Sequence, residues 1–120
     1  MSKKVLVAED HTDIRKMMSI LLRQYGFEVL EAADGFEAVE KAKEEIPDLI
    51  LMDMAMPILD GLGATKAIRM HDELADVPII AVTAYGDFYK EKAIAAGCTD
   101  LIQKPLDFDQ LQPIVNSYSQ

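Results

Sequence analysis

A single cysteine, Cys98, in a chain of 120 residues excludes an internal disulfide and fits a reducing compartment, here the cytoplasm. Beside Gly97 it reads as a small buried hydrophobe. Basic residues are scarce: 12 Lys and Arg stand against 21 Asp and Glu, for a formal charge of −9. That balance argues against general nucleic-acid binding, which uses basic patches. No apolar run approaches the roughly 20 residues of a membrane span. Met1-Ser2-Lys3-Lys4 leads only into a short apolar segment, too brief for a signal-peptide core. No linker, repeat or low-complexity tract divides the sequence, so residues 1–120 read as one domain with no output domain after it. With half its residues apolar, a chain of this length can bury a full core without disulfides or a structural metal.

Carboxylates at the ends of two apolar runs carry most of the information. Val5-Leu6-Val7-Ala8 runs directly into Glu9-Asp10, and Leu49-Ile50-Leu51-Met52 runs directly into Asp53. Such runs read as strands buried on both faces, as in a parallel sheet. Acidic groups just past the carboxyl ends of such strands lie where open α/β sheets bind ligands. Held together, the three charges repel, so the arrangement calls for protons or a divalent cation. Hard oxygen ligands of this kind suit Mg²⁺, and with it phosphate.

Strand-like and helix-like patterns alternate five times. Ile14, Met17, Met18, Leu21, Leu22 and Tyr25 form one helical stripe, ended by Gly26. Phe27 to Glu31 alternates as a half-exposed strand. Ala38, Val39, Ala42 and Ile46 form a second stripe, closed by Pro47. After the Leu49 strand, Met56-Pro57 and Asp60-Gly61 mark a loop, and Leu62 to Met70 a third helix. Val77 to Val82 is a fourth strand with Pro78 near its start, and Tyr85 to Ala96 a fourth helix. Leu101-Ile102 is a short fifth strand. Phe108, Leu111, Ile114, Val115 and Tyr118 line a fifth helix. Strands one, three and four are apolar throughout and belong in the middle of the sheet; two and five carry polar residues and belong at its edges. With right-handed crossovers the expectation is a doubly wound α/β fold, a five-stranded parallel sheet ordered 2-1-3-4-5 with five helices. The switch point then lies between strands one and three, where Glu9, Asp10 and Asp53 sit.

Two more groups complete this constellation. Strand four ends at Thr83, whose hydroxyl can donate to a phosphoryl oxygen. Strand five ends at Lys104, a mobile point charge suited to phosphate or carboxylate. Lys104 precedes Pro105, and such a bond can be cis. His11 and His71 read as exposed or capping residues rather than phosphodonors, with no partner evident for either.

The whole chain resembles a response-regulator receiver domain of two-component signalling. The matching pieces are Glu9-Asp10, the run Leu51-Met52-Asp53-Met54-Ala55-Met56-Pro57, the Asp60-Gly61 turn, Thr83-Ala84 and Lys104-Pro105. The resemblance implies a flavodoxin-like fold, Asp53 as phosphoacceptor, and Mg²⁺ held by Glu9, Asp10, Asp53 and the backbone carbonyl of Ala55. It implies Thr83 and Lys104 on the phosphoryl group, supplied by a sensor histidine kinase or histidine phosphotransfer protein. It further implies a signal passed to a downstream protein target, with no direct nucleic acid or membrane contact. Relatives often pair through the face of their fourth and fifth helices, so a homodimer is an expectation too. Many place an aromatic residue three positions before the lysine; here it is Leu101, which cannot exchange a buried ring for an exposed phenol. Phe88, Tyr89 and Tyr85 read as local packing or a partner surface.

Other function classes fit less well. An aspartate-nucleophile phosphohydrolase usually carries a second acid two residues after the nucleophile, and Ala55 stands there. A flavodoxin-like flavin carrier needs a phosphate-cradling first loop, whereas Glu9-Asp10-His11-Thr12-Asp13 repels a phosphate unless a cation intervenes. A receiver-like interaction module that is never phosphorylated is the third alternative, and the complete acidic site argues against it. The expected role is a phosphoacceptor that catalyses only its own phosphorylation and dephosphorylation, not an enzyme acting on a substrate.

Overall fold

A computed structural model describes residues 2–119, apart from the side chains of Phe88 and Phe108; those two side chains, read above as part of an aromatic cluster and of the fifth helix stripe, lie outside the described residues. The elements alternate as β1 (Lys4–Ala8), α1 (Thr12–Gln24), β2 (Glu28–Ala32), α2 (Gly35–Glu45), β3 (Leu49–Asp53), α3 (Gly61–Arg69), β4 (Ile79–Thr83), α4 (Asp87–Ala96), β5 (Asp100–Gln103) and α5 (Phe108–Tyr118). A short 3-10 turn at Asp72–Leu74, which no sequence pattern announces, links α3 to β4. The strands form one parallel sheet in the order β2-β1-β3-β4-β5.

Strand residues alternate between the sheet's two faces, and each face carries its own core. Leu6, Ala8, Ile50, Met52, Ile79 and Ala81 pack with Ala38 and Ala42 of α2, Ala64 and Ile68 of α3, and Ala93 of α4. Val5, Val7, Leu49, Leu51, Ile80 and Ile102 pack with Met18 and Leu22 of α1 and Leu111 and Val115 of α5. The split is the two-residue period of a strand covered on both sides. It puts three helices on one face and two on the other. Burial of these aliphatic groups stabilises the fold by about 1.5–3 kcal/mol for each large side chain. Cys98 is buried, as read from the sequence.

Element ends follow local chemistry. Gly26 adopts φ +97° just past α1, the left-handed residue that closes a helix. Asp34 and Asp60 accept from the backbone N–H of Glu37 and Gly63 at 2.7 and 2.8 Å, capping α2 and α3. Several expectations need correction. Ile46 does not extend the α2 stripe: it is exposed and closes the helix in a left-handed conformation at φ 45°, and the helix ends here because the α conformation is disfavoured before Pro47. Val77 and Pro78 precede β4, and Tyr85 precedes α4 rather than starting it. The α1 stripe divides, with Met18 and Leu22 buried but Ile14 37% and Met17 49% exposed; Ile20, outside that stripe, is 56% exposed. Among the described residues no helix is long and apolar enough to cross a membrane.

Candidate functional site

Parallel pairing of β1 with β3, Ala8 opposite Met52, brings the residues that follow these strands side by side. Glu9 is held from both sides: its N–H donates to the Ala32 carbonyl at 3.0 Å, and its Oε2 accepts the His11 N–H at 3.0 Å. Glu9 and Asp53 are both buried, each only 2% exposed. Ligand atoms of Glu9, Asp10, His11 and Asp53 all lie within 4.8 Å of one another. Among the described residues, the buried oxygens Asp10 Oδ1 and Asp53 Oδ2 have no hydrogen-bond partner. Buried carboxylate oxygens without partners are costly. Two of them facing one small acidic cluster suit a hard divalent cation with oxygen ligands.

Lys104 reaches over from the end of β5, where its bond to Pro105 is cis. Its Nζ lies 3.3 Å from Asp53 Oδ1 and 3.6 Å from Glu9 Oε1. The other contact to Asp53 Oδ1 is the Ala55 N–H at 3.1 Å. Thr83 is buried at the end of β4, and its Oγ1 accepts the Tyr85 N–H at 3.1 Å. Asp53, Met54, Ala55, Thr83, Ala84, Tyr85, Tyr89 and Lys104 line one cleft of about 160 Å³. The structure therefore gathers all six residues read from the sequence, Glu9, Asp10, Asp53, Ala55, Thr83 and Lys104, at one end of the sheet.

The loop after β3 is packed under this cleft. Asp60 caps α3, and the Gly61 N–H donates to the Met54 carbonyl at 3.1 Å. A Cβ at Gly61 would stand 2.4 Å from the Asp53 carbonyl oxygen and 2.7 Å from Met54 Cα. Only glycine lets α3 start this close to the backbone that carries Asp53.

Electrostatics follow from crowding. Burial, together with the charge of Glu9, pushes the Asp53 carboxyl up to about 6. Burial also works against ionised Glu9, but hydrogen bonds from His11 and Asp53 and the Lys104 charge leave it below its usual value. The pair thus divides one repulsion unequally, with Glu9 ionised first.

Sequence reasoning missed two neighbours. His11, read as lacking a partner, places Nδ1 3.0 Å from Glu9 Oε2 and 3.4 Å from Asp10 Oδ1, and the Glu9 hydrogen bond followed by the Asp10 charge raises its pKa. Its spacing of two from Glu9 was the available signal. Tyr89 lines the cleft from α4 and leans on Tyr85, ring centroids 6.0 Å apart. Leu101, at the position where relatives carry an aromatic ring, is half-buried against the same core as Tyr89.

With this geometry in view, comparison with known proteins is informative. The family model of the response regulator receiver domain matches residues 5–116. The polar-differentiation response regulator DivK of Brucella anthropi is 37% identical, the match spanning 98% of this chain and 97% of that protein. Chemotaxis response regulator CheY4 of Vibrio cholerae superposes with a TM-score of 0.94 at 34% identity, covering 98% of this chain and 99% of that one. The receiver domain of sensor histidine kinase PA1611 from Pseudomonas aeruginosa, whose crystal structure has a magnesium ion coordinated in the active site cleft, superposes with a TM-score of 0.91 at 35% identity, covering 99% of this chain and 98% of that one.

Proposed function

Because the chain belongs to the response regulator receiver domain family, we propose that it works as a cytoplasmic phosphoacceptor, taking a phosphoryl group onto Asp53 from a histidine kinase or histidine phosphotransfer protein. The observation that carries this reading is the Asp53 carboxylate, with one oxygen against Lys104 and the other without a partner, in a cleft beside two further acids. Glu9, Asp10, Asp53 and the Ala55 carbonyl would hold Mg²⁺, which supplies charge neutralisation for the transferring group. A carboxylate oxygen of Asp53 attacks phosphorus, the nitrogen–phosphorus bond of the donor breaks, and the imidazole leaves with its electron pair. Lys104 pairs with a phosphoryl oxygen and Thr83 donates its hydroxyl proton to another, so the protein supplies position and electrostatics. The protein turns over no other substrate. Incubation with phosphorylated histidine kinases tests the reading: one should transfer its label in Mg²⁺ and none in EDTA, and no transfer from any kinase or small phosphodonor would sink it.

We assign the donor's approach to the exposed flank of α1. Ile14, Met17 and Ile20 are exposed on α1, beside a groove of about 270 Å³ lined by Glu9, Ile14, Met17, Lys104, Pro105 and Leu106. An apolar patch beside this groove, which shares Lys104 with the cleft, suits a partner that must bring a phosphohistidine to Asp53. Met17→Glu should slow transfer from the kinase about tenfold, the cost of burying a charge at about 1.4 kcal/mol, while acetyl phosphate labels it as wild type. Equal slowing with both donors would place the effect in the cleft instead. We assign output to contact of a target protein with α4, where Ile94 is exposed, and with the exposed Tyr85 that precedes the helix.

The lifetime of the phosphorylated state depends on which side chains line the path of water to phosphorus. Ala55 offers no group to orient a water. Tyr85 puts its ring at the cleft, supported by Tyr89. Neither supplies the carboxylate or amide that general-base assistance prefers. Ala55→Asn combined with Tyr85→Glu should shorten the lifetime about tenfold, about 1.4 kcal/mol in the barrier. The decay of labelled wild type and double variant measures this, and unchanged or slower decay contradicts shielding by Tyr85.

A further inference from the structure

Behind the acidic pair, on the side away from the cleft, lies an ion-paired arginine that the proposed chemistry does not use. Arg15, in the first turns of α1, is 12% exposed at its side chain and Glu31 of β2 is 16% exposed. Arg15 Nε donates to Glu31 Oε1 at 3.1 Å. The same guanidinium turns a second nitrogen inward, and Nη1 donates to the backbone carbonyl of Glu9 at 2.8 Å. Its own backbone N–H bonds the His11 carbonyl at 2.9 Å, while the Glu9 N–H bonds the Ala32 carbonyl at 3.0 Å. Both backbone polar groups of Glu9 are therefore tied towards β2, one directly and one through Arg15.

Glu31 is itself secured. Lys16 Nζ and Arg23 Nη2 lie 3.1 and 3.8 Å from its carboxylate, and Lys41 donates to its carbonyl. Burial pushes the Glu31 carboxyl up, but hydrogen bonds and charges from Lys16 and Arg15 more than offset this and keep it ionised. A planar guanidinium can hold a carboxylate and a carbonyl at once in fixed directions; an ammonium cannot impose that geometry.

We propose that Arg15, clamped by Glu31, is a positioning residue for the acidic pair: it sets the path of the Glu9-Asp10-His11 backbone and hence the places from which Glu9 and Asp10 meet a divalent cation. This rests on reading the cleft as a Mg²⁺ site. Neither Arg15 nor Glu31 touches the reacting atoms. Groups that hold metal ligands in place commonly change affinity by 10–100-fold when replaced.

Calorimetric titration of the protein with Mg²⁺ tests this without any phosphoryl transfer. The variants are Arg15→Lys, which keeps the charge and loses the fork, Glu31→Gln, which keeps the shape and loses the clamp, and the two combined. Each single variant should bind Mg²⁺ about tenfold more weakly. The double variant should be no weaker than Arg15→Lys alone, because Glu31 acts through Arg15. Amide resonances of Glu9 to His11 should shift in metal-free Arg15→Lys while those of β3 stay in place, a local signature that general destabilisation does not produce. Wild-type affinity in both single variants overturns the positioning role, and additive losses overturn the link from Glu31 through Arg15. Wild-type protein that binds no Mg²⁺ overturns the reading of the cleft, and the inference with it.

Discussion

Acetyl phosphate with Mg²⁺ should add one phosphoryl group to the wild-type protein and none to Asp53→Asn. Glu9 and Asp10 are carboxylates too, so the geometry has to choose among three. Glu9 is buried, and its Oε2 is occupied by the His11 backbone and ring. The cleft that admits a donor is lined by Asp53, Thr83 and Lys104, with neither Glu9 nor Asp10 in its wall. Asp53 alone combines access to that cleft, a lysine 3.3 Å away and an oxygen without a partner. Asparagine keeps the shape but has no carboxylate to form the acyl phosphate. Loss should be complete by intact mass, and full labelling of the variant would remove Asp53 from the chemistry. Because its carboxyl is raised to about 6 by burial and Glu9, labelling at low Mg²⁺ should fall as pH drops through 6. Saturating Mg²⁺ should move that fall to lower pH, since a bound cation favours the carboxylate.

The same substitution should make the metal-free protein more stable. A carboxyl whose folded pKa lies above its unfolded value costs stability once pH passes the unfolded value, and the cost is complete above the folded one. For Asp53 the window runs from 3.8 to about 6. That difference corresponds to about 3 kcal/mol at neutral pH as an upper bound, and part of it is lost with the Lys104 contact. In EDTA at pH 7.5, Asp53→Asn should therefore melt roughly 5–10 °C above wild type, with the gap closing as pH falls towards 4. Glu9, shifted the opposite way by His11 and Lys104, is present in both proteins. Taking the difference between variant and wild type thus isolates Asp53. Saturating Mg²⁺ should narrow the gap at pH 7.5, because wild type then gains binding energy that the variant lacks. A variant that melts below wild type in EDTA, or a gap that ignores pH, contradicts burial of Asp53 beside Glu9 as the source of the cost.

Both expectations rest on one arrangement: a buried carboxyl beside a second acid, with an oxygen that no group among the described residues satisfies. Stability is given up there and recovered from the sheet, where β1, β3 and β4 are buried on both faces. Sites that break local rules in this way are where function concentrates.

Much of this was determined by the sequence alone. Apolar runs from Val5, Leu49 and Val77 identify strands covered on both sides, and the shorter or mixed strands at Phe27 and Leu101 identify edges. Order 2-1-3-4-5 follows from right-handed crossovers, and the positions just past strand ends place Glu9, Asp10, Asp53, Thr83 and Lys104 together. These inferences succeed because they depend on periodicity and chain direction, both local properties. Tertiary structure decided the rest. Periodicity shows that Ile14 and Met17 lie on the apolar side of α1, not whether anything covers them, and they are exposed at the rim of a groove. Arg15 and Glu31 are 16 residues apart on a helix and an edge strand, and their pairing exists only once α1 packs back onto β2. Tyr89 reaches the cleft because α4 docks beside it, although nothing in its local pattern separates it from Phe88 as a ring facing solvent or core. Side-chain partners across elements depend on how helices settle on a sheet, which a linear pattern of residues does not encode.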